Sequence, residues 1–124
     1  MKISNDMQKD INTIAAYYGN GQTIIMTEEM AELTQALCKY NRLQGYGQAC
    51  RKSYEEVMKS IVEEMADVAL LWEQLLFLFD CEEEIKDIMK KKIERTYKQI
   101  NLQKEVDKRC TSEQRGTKIS KHDE

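Results

Sequence analysis

The sequence predicts an all-α protein, folded as an antiparallel four-helix bundle. Apolar residues recur every three or four positions along most of the chain, which is the period of an amphipathic helix. The chain has no proline and only five glycines in 124 residues, so few residues interrupt these periodic segments. No segment shows the strict apolar–polar alternation that is typical of strands. A bundle of helices is the architecture that buries such stripes.

The first two helices are separated by a glycine-containing break. The first predicted helix extends from about residue 3 to Tyr18, where its apolar stripe ends. The next residues, Gly19-Asn20-Gly21, are of the types that best tolerate a left-handed backbone, so they end the helix. The second helix is predicted from Gln22 to Leu43. Residues 44–52, which include two glycines and no apolar period, are predicted to form a loop.

The third helix is predicted to start at Ser53, because Ser53 followed by Glu56 is a capping-box pattern. It extends to about Phe79, and its second half is apolar nearly all round. A helix that is apolar on every side must be covered on every side, either inside a bundle or at a subunit interface. We therefore expect a homo-oligomer, a homodimer or a homotetramer.

The fourth helix is predicted to open at Asp80, where Asp80 and Glu83 repeat the capping pattern. Its apolar seam continues to Ile100. From Asp107 onward the chain contains one aliphatic residue, Ile119, among charged and small polar ones. Residues 1–106 are therefore predicted to form the folded domain, and residues 107–124 a disordered polar tail.

Composition excludes several classes of partner. The net charge is −3 and the basic residues are spread along the chain, which argues against duplex nucleic acid as the main partner. The most apolar stretch, residues 65–79, contains Asp67 and Glu73 and is too short and too polar to span a membrane. The first ten residues lack the apolar run of a signal peptide, and no two of the four cysteines form a CxxC pair. A cytoplasmic protein with reduced thiols is expected.

Two sets of acidic residues need an explanation beyond solvated helix faces. Glu28, Glu29 and Glu32 lie on the second predicted helix, and Glu64 and Asp67 lie on the third. Residues three apart share one face of a helix, so each set stacks like charges, which is unfavourable unless a cation lies between them. Asp67 also lies within the most apolar part of the chain, where an unpaired carboxylate is costly.

The spacing of these acids about the loop predicts that they meet. If the second and third helices form an antiparallel hairpin centred on Gln48, residues equidistant from Gln48 lie at the same height. Glu32 and Glu64 are each 16 positions from Gln48, and Glu29 and Asp67 are each 19 positions away. Four converging carboxylates would form an oxygen-only site, for which Mg²⁺ is the natural occupant and Mn²⁺ a substitute.

Two alternatives bear on this site. The acids can be surface residues aligned by chance, because the chain contains 22 acidic residues and a single ExxE pattern is common. A di-iron carboxylate site would need a histidine three residues after a glutamate on two helices. The chain has one histidine, His122, which lies in the predicted tail, so the sequence excludes the di-iron alternative.

The paired acidic motifs resemble a known family. Glu28-Glu29-Met30-Ala31-Glu32, followed by Glu64-Met65-Ala66-Asp67, is similar to the EExxE and ExxD motifs of the MazG-like all-α nucleoside triphosphate pyrophosphohydrolases. The likeness covers roughly residues 11–100 and is greatest to short members from Firmicutes and their phages. It implies that residues 1–106 are such a domain, which cleaves (deoxy)nucleoside triphosphates between the α- and β-phosphates and releases monophosphate and pyrophosphate.

The resemblance also implies roles for the acids. By motif position, Glu29, Glu32, Glu64 and Asp67 match the metal ligands of the family, with Mg²⁺ as the cofactor. Glu28 is one residue away from the ligand positions. It is predicted either to orient water or serve as the general base, or to be a plain exposed glutamate.

Substrate contacts are predicted from helix geometry. If the fourth helix doubles back near Asp80, Lys92 and Arg95 reach the height of the acidic motifs, where they can bind the outer phosphates. The alternative for Lys92 is a solvated lysine, because it belongs to a run of three. If the first and second helices form an antiparallel hairpin about Asn20, Gln8 and Asn12 lie near the level of Glu32 and Glu29, because these residues are at similar distances from Asn20 along the chain. The candidates for contacts with the base are Gln8, Asn12, Gln22, Trp72, Tyr17 and Tyr18. In so apolar a helix, a tryptophan such as Trp72 is more often a core residue than a platform for a base.

Two other functions remain open on the sequence alone. A helical interaction protein, or a nucleotide-binding module without turnover, would have the same helices and acids. A hydrolase of a regulatory nucleotide of the guanosine tetraphosphate type would use the same metal chemistry. Products and substrates, rather than helix patterns, distinguish these functions.

Overall fold

The computed structural model describes the backbone of residues 1–122 and the side chains of residues 1–114. Every regular element in that part of the chain is helical, which confirms the all-α prediction. The elements are α1 (Asn5–Tyr18), a 3₁₀ turn (Gly19–Gly21), α2 (Gln22–Leu43), α3 (Tyr54–Phe79) and α4 (Glu82–His122).

The helix boundaries follow local signals in the sequence. Ser4 and Ser53 cap α1 and α3: each hydroxyl oxygen accepts a hydrogen bond, 3.2 Å long, from the backbone N–H three residues later. Gly19 adopts a φ of 64° at the end of α1, a conformation that glycine reaches without steric cost. The predicted bounds of α2 and the predicted start of α3 are confirmed.

Asp80 ends α3 rather than opening α4, so the predicted capping role of Asp80 is wrong. Its φ of 47° and ψ of 51° place it in the left-handed region, directly after the last turn of α3. Aspartate is one of the few residue types besides glycine that adopt this conformation readily. The fourth helix begins two residues later, at Glu82.

The structure differs from the sequence prediction along residues 107–122. These residues are described as part of α4, a helix of 41 residues, where the sequence predicts a disordered tail. The segment has no proline and one glycine, and seven of its sixteen residues are lysine, arginine, glutamate or glutamine, which favour helix. Residues 123 and 124 of the predicted tail lie outside the described residues. The domain boundary at 106 stays a prediction.

The chain divides into two compact units, Met1–Glu82 and the part that begins at Glu83. The first unit contains α1, α2 and α3. Within it, α2 packs along α3, and α1 packs against α3 over a smaller contact. The second unit is α4 itself. Because α3 contacts both other helices of the first unit, it is the central element of that unit.

α2 and α3 form the predicted antiparallel hairpin. Gln22, at the start of α2, is hydrogen-bonded to Gln74 near the end of α3. Ala36, in the second half of α2, packs with Val57 and Ile61 near the start of α3. These contacts occur in opposite order along the two helices, which is the signature of an antiparallel pair.

The buried apolar residues of the first unit are few: one cluster lies at the loop end of this hairpin, and Ile11, Ala15 and Leu71 are buried farther from the loop. Ala36, Val57 and Ile61 form the centre of the cluster at the loop end, and partly buried side chains pack against it: Tyr40, Leu43, Cys50 and Met58. Many large apolar side chains of α2 and α3 stay exposed instead. They include Ile24, Met30, Val62, Met65, Trp72, Phe77 and Phe79.

α3 is the most apolar helix, but acidic residues interrupt its apolar run. Glu63, Glu64 and Asp67 lie in its middle. None of the helices within residues 1–122 is long and apolar enough to cross a membrane. Glu64 and Asp67 lie where α2 packs against α3, and they belong to the site described next.

Candidate metal centre

Four carboxylates meet in the middle of the α2–α3 pair. Glu29 and Glu32 come from α2, and Glu64 and Asp67 come from α3; together they are called the acidic cluster. Each residue supplies an oxygen that lies within 4.8 Å of the oxygens from the other three. The convergence agrees with the equal distances from Gln48 in the sequence. These residues could therefore hold one metal ion.

The packing on either side of the acidic cluster explains why its members face each other. Toward the loop, Ala36 follows Glu32 by about one turn of α2 and belongs to the apolar core. Away from the loop, Gln22 precedes Glu29 by about two turns and is bonded to α3 through Gln74. The cluster thus lies between an apolar contact and a buried polar contact of the same two helices.

Two oxygens of the acidic cluster have no partner. Glu29 Oε2 and Glu64 Oε2 are inaccessible to solvent and accept no hydrogen bond. Burying a carboxylate oxygen without a hydrogen-bond donor is unfavourable, so these two oxygens would be stabilised by a bound cation. A divalent cation satisfies that requirement, and hard oxygen donors are the ligands that Mg²⁺ prefers. The residues present therefore fit a magnesium ion.

The environment of the acidic cluster favours protonated carboxyl groups. Burial raises the pKa of Glu29 from 4.5 to about 7, and the charges of the other three carboxylates and a hydrogen bond with Glu32 add to the shift. Burial also raises the pKa of Glu64, with further contributions from a hydrogen bond with Glu32 and from neighbouring negative charges. Without a cation, the cluster therefore retains protons at pH values where ordinary glutamates are ionised.

The other residues predicted to act on the phosphates lie outside the acidic cluster. Glu28 is exposed and is not one of the four residues whose oxygens converge. Lys92 and Arg95 lie on α4 with exposed side chains. The structure places these residues on helix surfaces, and their roles in orienting water and binding phosphate stay predictions.

Gln8 and Asn12 lie in a different place from the one expected. The Gln8 side-chain amide donates a 2.8 Å hydrogen bond to Asn12 Oδ1. Both residues line a groove of about 550 Å³ together with residues from the second half of α3, among them Glu73 and Phe77. No member of the acidic cluster lines this groove. The equal-distance argument about Asn20 assumes that α1 lies along α2, whereas α1 packs against α3.

Gln22 and Trp72, two further candidates for base contacts, have contrasting environments. Gln22 is buried, and its side-chain nitrogen donates a 2.7 Å hydrogen bond to Gln74 Oε1. Trp72 is 43% exposed, so it is not the core residue that the apolar pattern of α3 suggests. Contacts of either residue with a base stay predictions.

Sequence reasoning missed Gln74. The signal was present, because Gln22 and Gln74 are each 26 positions from Gln48, the same rule that pairs the acids. Glutamine is usually a surface residue, so the residue type does not predict that Gln74 is buried. The structure shows that it belongs to the interface between α2 and α3.

The raised pKa values predict how metal-free stability depends on pH. A carboxyl group whose pKa is higher in the folded state stabilises the fold below its unfolded pKa, and this contribution is lost as pH rises through the folded pKa. For Glu29 the window lies between about 4.5 and about 7. We expect the melting temperature of metal-free protein to fall from pH 5 to pH 8, and Glu29→Gln to flatten this fall.

The control for that measurement is Glu94→Gln, which removes an exposed acid of α4. It should leave the pH dependence as in the wild type. Differential scanning calorimetry with a chelator present measures both effects. A wild-type melting temperature that is constant or rises between pH 5 and pH 8 would contradict the assignment.

No family model matches the chain, and neither a curated protein nor a solved structure matches it. The similarity to a family is therefore carried by the EExxE and ExxD motifs in the sequence. The geometry of the acidic cluster is independent of that similarity, since it follows from the packing of α2 on α3.

Proposed function

We propose that the protein is a Mg²⁺-dependent nucleotide pyrophosphohydrolase. It would cleave (deoxy)nucleoside triphosphates between the α- and β-phosphates, giving monophosphate and pyrophosphate. The observation that carries the proposal is the acidic cluster, with two inaccessible carboxylate oxygens that lack partners. The resemblance of its two motifs to those of MazG-like enzymes supports the choice of reaction.

In this proposal, the residues of the acidic cluster hold Mg²⁺, with Mn²⁺ as a substitute. The bound ion supplies positive charge to phosphoryl oxygens and makes water more acidic. Glu28, on the exposed side of α2 next to the ligand Glu29, orients the attacking water or accepts its proton. Lys92 and Arg95 contribute countercharge for the outer phosphates.

The base and sugar need a separate surface. The amide groups of Gln8 and Asn12 can read the edge of a base, and the exposed ring of Trp72 can stack on one. Gln22 is another candidate from the sequence, and its side-chain nitrogen already donates a hydrogen bond to Gln74. We propose these contacts from the chemistry of the side chains alone.

We further propose the antiparallel four-helix bundle of the MazG type, and a homodimer or homotetramer in the cytoplasm. The exposed apolar side chains of α2 and α3 support an oligomer, because surfaces of this kind usually mark interfaces. Three examples on these helices are Ile24, Val62 and Met65, which are 64%, 61% and 56% exposed.

The metal site predicts a thermal shift that depends on Asp67. Mg²⁺ binds the folded state preferentially, so at about 100 times its Kd it adds about 2.7 kcal/mol to the free energy of unfolding and raises the melting temperature of the wild type. Asp67→Asn should abolish that increment and reduce pyrophosphate release to background. Glu63→Gln, which removes a neighbouring acid outside the acidic cluster, should keep both. The same thermal gain in Asp67→Asn as in the wild type would refute the ligand assignment.

Assembly is tested by mass. One chain has a mass of 14.6 kDa. Light scattering coupled to size exclusion at micromolar concentration should give a multiple of that value, two or four chains, because the exposed apolar side chains of α2 and α3 require cover. A mass of one chain would show that the exposed surface is tolerated by a monomer.

The products distinguish the proposed enzyme from a binding module. Attack of water at the α-phosphorus should give one monophosphate and one intact pyrophosphate per turnover. In ¹⁸O-labelled water, mass spectrometry should find the label in the monophosphate. The assay uses a panel of canonical and modified triphosphates and a guanosine tetraphosphate, each with Mg²⁺.

Other results of this assay have defined meanings. Diphosphate and orthophosphate as products would refute the reaction class. Bound nucleotide without any turnover across the panel would indicate a binding module. Turnover of the tetraphosphate alone would identify a hydrolase of regulatory nucleotides.

A further inference from the structure

A glutamine pair lies buried between α2 and α3. Gln22 is 8% exposed and Gln74 is 5% exposed, and no other polar or charged residue of the described side chains is as fully buried. Their 2.7 Å hydrogen bond joins the first turn of α2 to the last third of α3. A buried amide pair between two amphipathic helices needs a physical reason, because apolar side chains of similar size could fill the same space.

The position of the pair matches that of the acidic cluster. Gln22 precedes Glu29 by seven residues, and Gln74 follows Asp67 by seven residues. Seven residues are about two helical turns, or about 10 Å at the usual rise, so the pair lies on the same face of each helix as the carboxylates. Whatever shifts α2 along α3 at the glutamines shifts the carboxylates by the same amount.

A directional bond specifies register in a way that apolar packing does not. The hydrophobic contact of Ala36 with Val57 and Ile61 is non-directional and tolerates small shifts. A shift of one residue moves α2 by about 1.5 Å along its axis and turns its side chains by about 100°, which separates the two amides. Both would then be buried without the partner, so the hydrogen bond selects one register.

The acidic cluster needs such a constraint. Its carboxylates repel one another and are partly removed from water, which opposes close packing of α2 on α3 at this level. Mg²⁺ demands near-ideal octahedral geometry at short distances, so a small axial shift between the helices disturbs its ligands. The apolar cluster of Ala36, Val57 and Ile61 fixes the hairpin on the loop side of the acidic cluster, and the glutamine pair is a directional contact of α2 with α3 on the other side.

We propose that Gln22 and Gln74 are positioning residues whose hydrogen bond sets the register of α2 against α3, and thereby holds the four carboxylates within reach of one cation. The inference rests on the metal centre proposed above. It assigns Gln22 to the helix interface, where its side-chain nitrogen is already used, instead of to contacts with a base.

The test compares metal affinity with metal-free stability in the full-length chain. Gln22→Leu combined with Gln74→Leu removes both amides together, so neither partner is left unsatisfied, and metal-free melting temperature should equal or exceed that of the wild type. The Kd for Mn²⁺, measured from the electron paramagnetic resonance signal of free Mn²⁺, should rise about tenfold or more, as for other residues that position ligands. Gln35→Leu, the same change at an exposed site of α2, should alter neither quantity.

A second variant tests the hydrogen bond itself. Gln74→Asn shortens the side chain and breaks the hydrogen bond while retaining an amide, so it should weaken Mn²⁺ binding and also lower metal-free stability. Wild-type Mn²⁺ affinity in the folded double leucine variant would overturn the positioning role. Failure of that variant to fold would overturn it too, since the pair would then act through stability. A wild type that binds no Mn²⁺ would instead refute the metal centre itself, before any substitution is made.

Discussion

The register of α2 against α3 is the constraint on which the rest of the first unit depends. Along this one contact line lie the apolar core, the acidic cluster and the buried glutamine pair. The three contacts differ in character: the first is attractive and non-directional, the second is repulsive without a cation, and the third is directional. Apolar burial brings the helices together, because it is the largest favourable contribution to packing. The hydrogen bond between Gln22 and Gln74 adds little net free energy, but it is satisfied in one alignment only.

Much of this arrangement follows from the sequence because the hairpin is nearly symmetric. α2 ends at Leu43 and α3 begins at Tyr54, so the two helices leave a short loop at similar distances from Gln48. Two straight helices have the same rise per residue, so residues at equal distances from the loop stay at the same height over many turns. Glu29 and Asp67 therefore lie opposite each other, as the residue count from Gln48 predicts. Local chemistry specified the boundaries as well, through the Ser53 cap and the left-handed Gly19.

The features that the sequence predicts wrongly depend on backbone geometry or on tertiary packing, which residue types alone do not specify. The pattern of Asp80 and Glu83 predicts the start of a helix, but Asp80 has a left-handed backbone conformation and ends α3. The orientation of α1 is set by the dihedral angles of the turn at Gly19, so the residue count about Asn20 did not locate Gln8. Polar composition predicts a disordered tail, whereas α4 continues to residue 122 through a segment that contains no proline. Whether α4 supplies phosphate contacts depends on tertiary packing, which helix periodicity does not encode.

The acidic cluster is best understood as a site where protons and a cation compete. Because its pKa is raised to about 7, the carboxyl group of Glu29 retains its proton in metal-free molecules at pH values where an ordinary glutamate is ionised. Binding a divalent ion requires the ionised form, so it must displace that proton, and apparent affinity falls as pH falls through this range. The same burial that raises the pKa also strengthens the attraction between the ionised carboxylates and a cation, because the local dielectric constant is lower than that of water. A cluster that is unfavourable when empty and ionised gains more from a cation than a fully solvated one does. Its internal repulsion is therefore the physical reason for expecting it to bind a cation.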